Sequence, residues 1–225
     1  MTGPGAGAAA GRDETGRARF LALGDSYTIG EGVAEGERWP VQLAALLRER
    51  GHAVAEPMIV ARTGWTTSEL AAAIERANPQ GEFHLISLLI GVNNEYRGQP
   101  VDEYRTELRD LLRRAVAFAG GEPRRVLVLS IPDWGVTPFA AGRDRVEIGG
   151  EVDRFNAISR DETERVGARY VDVTPVSRAA AADSSLLAPD GLHPSGKMYA
   201  EWARLALKDA VAAIGEGTSA PAPGR

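Results

Sequence analysis

At 225 residues, with 44% hydrophobic and 25% charged residues and a formal net charge of -5, the chain has the composition of a soluble globular domain. It has no cysteine, which excludes disulfides, thiolate metal sites and a cysteine nucleophile. The acidic balance carries no dense Lys/Arg run to attract nucleic acid, and no apolar run approaches the ~20 residues that insert stably in a membrane.

Residues 1–17 are polar and rich in Gly and Ala, and read as a disordered tail. They lack the basic start and leucine-rich core of a signal peptide, so a cytoplasmic location is the default expectation. The segment GAGAAA at 5–10 matches a dinucleotide-binding pattern, but no strand precedes it. The apolar run RFLAL at 19–23 predicts a first strand that stops at Gly24, followed by the polar pair Asp25-Ser26. Asp25 reads as a turn residue. The glutamates of GEGVAEG at 30–36 would repel a pyrophosphate, so this segment reads as a loop with Glu31 and Glu35 solvated.

Beyond it, strand-like runs at 53–61, 83–90, 125–131 and 169–173 alternate with helical patterns at 39–50, 66–77, 99–119, 144–166 and 195–214. Thr66 or Thr67 is placed to cap the second helix, with Glu69 following, and Gly51 and Gly120 mark C-terminal stops. Residues 132–149, which overlap the start of the fourth helix, form the longest stretch without clear periodicity. Residues 215–225 read as a second disordered tail. A single domain over 18–214 is therefore expected. The alternation predicts an α/β fold of three α/β/α layers around a mainly parallel five-stranded sheet.

In such sheets ligands bind at the C-terminal ends of strands, beside the point where strand order reverses. The polar clusters of this chain follow predicted strand ends: Ser26, Arg62-Thr63-Gly64, Gly91-Val92-Asn93-Asn94 and Pro132-Asp133-Trp134-Gly135. Near the other end lies APDGLHPSGKMYAEWA, 188–203. Pro194 pushes His193 into an extended conformation, and Ser195 is placed to cap the last helix. Asp190, one tight turn upstream, suits a group that bonds one imidazole nitrogen and leaves the other to take a proton from Ser26. DG and HPSG are also ordinary turn chemistry. His52 and His84 are isolated; the first reads as an exposed turn residue, the second as a core or edge residue. No histidine pair has metal-ligand spacing, so neither metal nor cofactor is expected.

The early GDS and late DxxH resemble the GDSL, or SGNH, hydrolase family over about 19–210. The nucleophile elbow GxSxG of α/β-hydrolases is absent. The resemblance implies a flavodoxin-like sheet of order 2-1-3-4-5 and a catalytic set of Ser26 as nucleophile, His193 as base and Asp190 as its orienting carboxylate. It also implies an oxyanion hole from the Ser26 amide, the Gly64 amide and the Asn93 side chain. Two positions depart from the family pattern: Tyr27 replaces Leu, and Asn94 replaces the usual Asp.

The expected function is that of a serine esterase or acylhydrolase acting on a small-molecule ester. Carbohydrate O-deacetylation and acyl transfer belong to the same family. A different class, a non-catalytic binding protein retaining the fold, would have no need of Ser26, Asn93, Asp190 and His193 together. Trp39, Trp65 and Trp134 read first as packing residues. Trp65, Trp134 and Phe139 are also candidates to wall a substrate pocket, and Trp134 and Phe139, in the irregular stretch, predict a preference for short acyl chains. Oligomeric state is not readable from these patterns.

Overall fold

Five short apolar segments pair in parallel as β1 (Phe20–Gly24), β2 (Met58–Ala61), β3 (Leu85–Leu89), β4 (Val126–Leu129) and β5 (Arg169–Val171), in the order β2-β1-β3-β4-β5. The coordinates are those of a computed structural model, which describes residues 12–215; most of both expected tails lies outside the described residues. Residues 12–17, expected within the first tail, instead form a turn, because Asp13 accepts the Thr15 and Arg17 amides at 2.9 Å each. Every residue of β1, β3 and β4 is buried, as a parallel sheet covered on both faces requires.

Eight helices occur among the described residues: α1 (Ser26–Ile29), α2 (Trp39–Glu49), α3 (Thr67–Ala77), α4 (Val92–Tyr96), α5 (Val101–Phe118), α6 (Arg145–Val166), α7 (Thr174–Arg178) and α8 (Gly196–Gly215). The five long ones match the predicted helices to within two residues. From β1 the chain moves outward through α2 to β2, then returns past β1 through α3 to β3. Right-handed crossovers therefore put α2 on one face and α3, α5 and α6 on the other. The chain end, α8, packs along α2 and covers the first face. On that face Trp39, Leu43 and Leu47 of α2 and Trp202, Ala206 and Ala210 of α8 are fully buried. Each large apolar side chain contributes about 1.5–3 kcal/mol by leaving water.

Thr66 is the N-cap of α3: its hydroxyl faces the Glu69 amide at 3.4 Å while the Glu69 carboxylate accepts the Thr66 amide at 2.8 Å. The irregular stretch ends sooner than its sequence suggests, since Asp144 accepts the Val146 and Glu147 amides and starts α6 at Arg145. Residues 134–140 are two short 3-10 turns. His84 is buried, and His52, expected exposed, is half-buried. No helix among the described residues is long and apolar enough to cross a membrane.

Candidate active site

The strand order reverses between β1 and β3, whose last residues Gly24 and Leu89 are paired neighbours. Any side chain at position 24 would collide with Thr28 and with the Leu89 carbonyl, its Cβ falling 2.2 and 2.4 Å from their oxygens. Glycine alone lets β1 turn at once into α1. Asp25 caps that helix by accepting the Tyr27 amide at 3.0 Å, and Ser26 is its first residue. The Ser26 amide therefore has no acceptor inside its own helix, and it donates to no other group among the described residues.

The second strand end supplies a turn, 62–65, closed by the Trp65 amide on the Arg62 carbonyl at 3.3 Å. Gly64 occupies its third position with φ +88°, the sign a type II turn demands there and a conformation open to glycine. Its amide also stays unspent among the described residues. The third strand end supplies Asn93, whose amide donates one N–H to the Trp65 carbonyl at 2.9 Å, its second N–H having no partner among the described residues. Three free donors thus come from three neighbouring strand ends.

Asn94, next along α4, is fully buried and braces the same corner. It accepts the Thr67 amide at 3.1 Å and donates to Thr67 Oγ1 at 2.6 Å and Gln99 Oε1 at 2.7 Å. The Thr67 hydroxyl spends its own proton on the Glu107 carboxylate. It must then receive one from position 94, which an amide provides and a carboxylate does not. The Asn that departs from the family pattern therefore fits its surroundings.

His193 enters from the loop before α8. The loop is pinned by Ala188 N on the His193 carbonyl at 2.7 Å and by Ser195, whose hydroxyl donates to the Ser185 carbonyl at 2.8 Å and faces the Met198 amide at 3.4 Å. Asp190 Oδ2 lies 2.6 Å from His193 Nδ1, and its Oδ1 accepts the Leu192 and His193 amides at 2.9 and 3.0 Å. Burial presses the Asp190 carboxyl upward, but the bond from His193 and the two amide bonds outweigh it and hold the group below the usual carboxylate range. His193 Nε2 has no partner among the described residues. Tyr27 packs its ring against the imidazole at 5.6 Å and against Trp202 at 6.2 Å, so the residue in place of the family's Leu buttresses the histidine.

Ser26, Gly64, Asn93 and His193 line one cleft of about 180 Å³ together with Tyr27, Thr63, Val92, Tyr96, Trp134, Phe139 and Leu192. Ser26 Oγ and His193 share no hydrogen bond here; they face the same space, and such bonds often tighten only around a substrate. Asp190 stands behind His193. Trp134 and Phe139 lie in the cleft wall, their rings 6.0 Å apart. Trp65 does not: its side chain packs half-buried against the core, and its contribution is the carbonyl that Asn93 grips. Tyr96, three residues after Asn93, is a wall residue the sequence reading passed over; its ring meets Trp134 at 5.3 Å and Phe139 at 6.1 Å. Arg143 lies over all three rings, 4.9 to 5.7 Å from their centroids. Among the described residues no cluster of three or more His, Cys, Asp or Glu is arranged to hold a metal ion.

The sequence profile of the GDSL-like lipase/acylhydrolase family matches residues 22–201. No curated protein matches. Solved structures do. Axe2, an acetylxylan esterase from Geobacillus stearothermophilus, is 18% identical with a TM-score of 0.63, covering 92% of this chain and 96% of its own. The psychrotrophic esterase EstA from a Pseudoalteromonas species is 19% identical with a TM-score of 0.60, over 88% of this chain and 97% of its own. A protein described as a GDSL-like lipase from Parabacteroides merdae is 19% identical with a TM-score of 0.68, over 86% and 95%. At these identities the likeness is one of fold.

Proposed function

Because the chain belongs to the GDSL-like lipase/acylhydrolase family, whose chemistry is the hydrolysis of carboxylic esters, we propose that it cleaves short-acyl esters through an acyl-enzyme on Ser26. One observation carries this reading. Three N–H groups unspent among the described residues, from Ser26, Gly64 and Asn93, belong to residues that line one cleft with the Ser26 hydroxyl and an Asp-oriented imidazole.

Ser26 Oγ attacks the ester carbonyl while His193 Nε2 takes its proton, and Asp190 holds the Nδ1–H and the positive charge that forms. The carbonyl oxygen gains charge where the three donors meet, and this stabilisation exists only in the transition state. The imidazolium then gives its proton to the leaving alcohol. Water, activated by the same nitrogen, releases the acid and restores Ser26.

The short-acyl preference is supported by the size of the cleft and by its aromatic end. Trp134 is nearly buried and its indole N–H is tied to Glu95 at 2.8 Å, so that wall does not yield readily to a long chain. The half-exposed rings of Tyr96 and Phe139 at the mouth favour a second reading, removal of acetyl groups from a carbohydrate, since sugars stack on such rings.

The test is a series of p-nitrophenyl esters from acetate to palmitate, with Ser26→Ala and a Trp134→Ala/Phe139→Ala double variant. We expect activity to fall with chain length, to vanish in Ser26→Ala, and to shift towards longer chains in the double variant. A profile that keeps its shape while only stability drops would refute the pocket assignment.

A further inference from the structure

Of the three donors around Ser26, two are held by secondary structure. The Ser26 amide opens α1, and the Asn93 side chain springs from α4. The Gly64 amide is different. It sits in a half-exposed turn, on the residue type with the widest backbone freedom, in the left-handed region. Something outside the turn must fix it.

Arg97 follows α4 and reaches back to the 62–65 turn. One guanidinium nitrogen donates to the Gly64 carbonyl at 2.6 Å; another meets the Glu69 carboxylate at 3.3 Å. Glu69 is itself immobilised as the partner of the Thr66 cap. The guanidinium is therefore oriented by a carboxylate that belongs to α3 and aimed at a carbonyl of the turn leading into that helix. With Asn93 on the Trp65 carbonyl, α4 grips two consecutive peptide groups of the turn. On its far side the turn is tied by the Thr63 hydroxyl to Glu31. No other side chain bonds the Gly64 peptide groups among the described residues. A Cβ built on Gly64 would find Arg97 as its nearest neighbour, at 3.9 Å, so packing does not hold the turn from above.

We infer that Arg97 is a positioning residue of the reaction, the clamp that keeps the Gly64 amide at a fixed separation from Asn93 and Ser26. The inference rests on the esterase reading above and adds a residue to it. Arg97 touches neither the ester nor the transferred proton. As an exposed ion pair its bond to Glu69 is worth little stability; its consequence is geometric. Displacing an oxyanion donor by a fraction of an ångström costs less than deleting it and acts on the same step.

The experiment uses p-nitrophenyl acetate with the wild-type chain, Arg97→Ala, Arg97→Lys and Glu69→Gln, rates being normalised to active sites titrated with diethyl p-nitrophenyl phosphate. Arg97→Ala is expected to lower kcat about tenfold per titrated site with KM within twofold. Arg97→Lys, which keeps the charge but not the two-pronged reach, should recover only part of the loss. Glu69→Gln should lose less than Arg97→Ala and add nothing when combined with it. A raised KM at unchanged kcat would make Arg97 a substrate contact and overturn the proposal. So would a loss that disappears on normalisation, which would mean fewer folded molecules. A wild-type chain that hydrolyses no ester would defeat the esterase reading itself, a separate outcome visible before any variant is read.

Discussion

A groove between α6 and α7 is roomier than the cleft at Ser26, about 300 Å³ against about 180 Å³. It is the more polar of the two and holds two arginines and three aspartates, yet both arginines are spent on neighbouring carboxylates. Arg160 meets Asp172 at 3.0 Å, and Arg178 meets Asp153 at 2.7 Å and Asp133 at 2.9 Å. Asn156 uses both ends of its amide on Ile131 and Thr174. In the cleft the walls are mostly apolar, and five polar groups at its centre are idle among the described residues: two backbone amides, half of a side-chain amide, an imidazole nitrogen and a hydroxyl. Unspent hydrogen-bonding capacity in an apolar setting, and not size, marks the place where a reacting oxygen can be received.

The contrast predicts which substitutions hurt. Largest should be the loss of Ser26 or His193. Either alanine variant is expected to lower kcat by several powers of ten, about as much as the double variant does, because the two act as one unit. Losses that add would break that unit. Asp190→Ala should cost less, since the carboxylate orients and stabilises without exchanging a proton. Next comes Asn93→Ala, expected to lower kcat about 10²–10³-fold with little change in KM, as for a lost oxyanion donor.

A smaller effect concerns stability beneath the cleft. Asp25 is fully buried, and while one carboxyl oxygen caps α1 the other has no hydrogen-bond partner among the described residues. Burial pushes its pKa up to about 7 from 3.8. The folded state thus holds this proton more tightly than the unfolded chain. The group's contribution to stability is greatest below pH 4 and declines as pH rises towards 7. Asp25→Asn, which keeps the capping oxygen and removes the charge, should gain stability over the wild type at pH 8 and much less at pH 5 in urea unfolding. An equal difference at both pH values would mean that Asp25 does not titrate in this range.

Smallest of all should be Asp172→Asn in the larger groove. The pair it breaks is half-exposed, so both activity and stability should stay close to wild type. A loss of ester hydrolysis there would undo the contrast between the two regions.

The parallel core and the five long helices were legible because runs such as LISLL and the eleven or more residues of each helix carry a full hydrophobic pattern. The short helices were not. Four or five residues at α1, α4 and α7 hold little more than one turn, too few for a period to register. That is why Tyr96 was missed as a wall residue: only the helical turn after Asn93 brings it round to the cleft. Trp65 packs on the core, as its first reading had it, and only its secondary candidacy for the pocket wall is not met. Its aromatic side chain drew attention, while its role at the site is played by a backbone carbonyl, which every residue type carries. Arg97 left no trace in the sequence because its partner is also a carbonyl. Among the chemical groups themselves, Ser26 and Asn93 were visible as short motifs at strand ends, and Asp190 and His193 as one ahead of the last helix.

The most direct test of the central claim is covalent. Diethyl p-nitrophenyl phosphate mimics the tetrahedral state of an ester and leaves a stable adduct on an activated serine. Peptide mass spectrometry of the treated chain should find one equivalent, on Ser26, with formation slowed by orders of magnitude in His193→Ala. Ester hydrolysis that persists with Ser26 unmodified, or an adduct on another residue that abolishes it, would contradict the account.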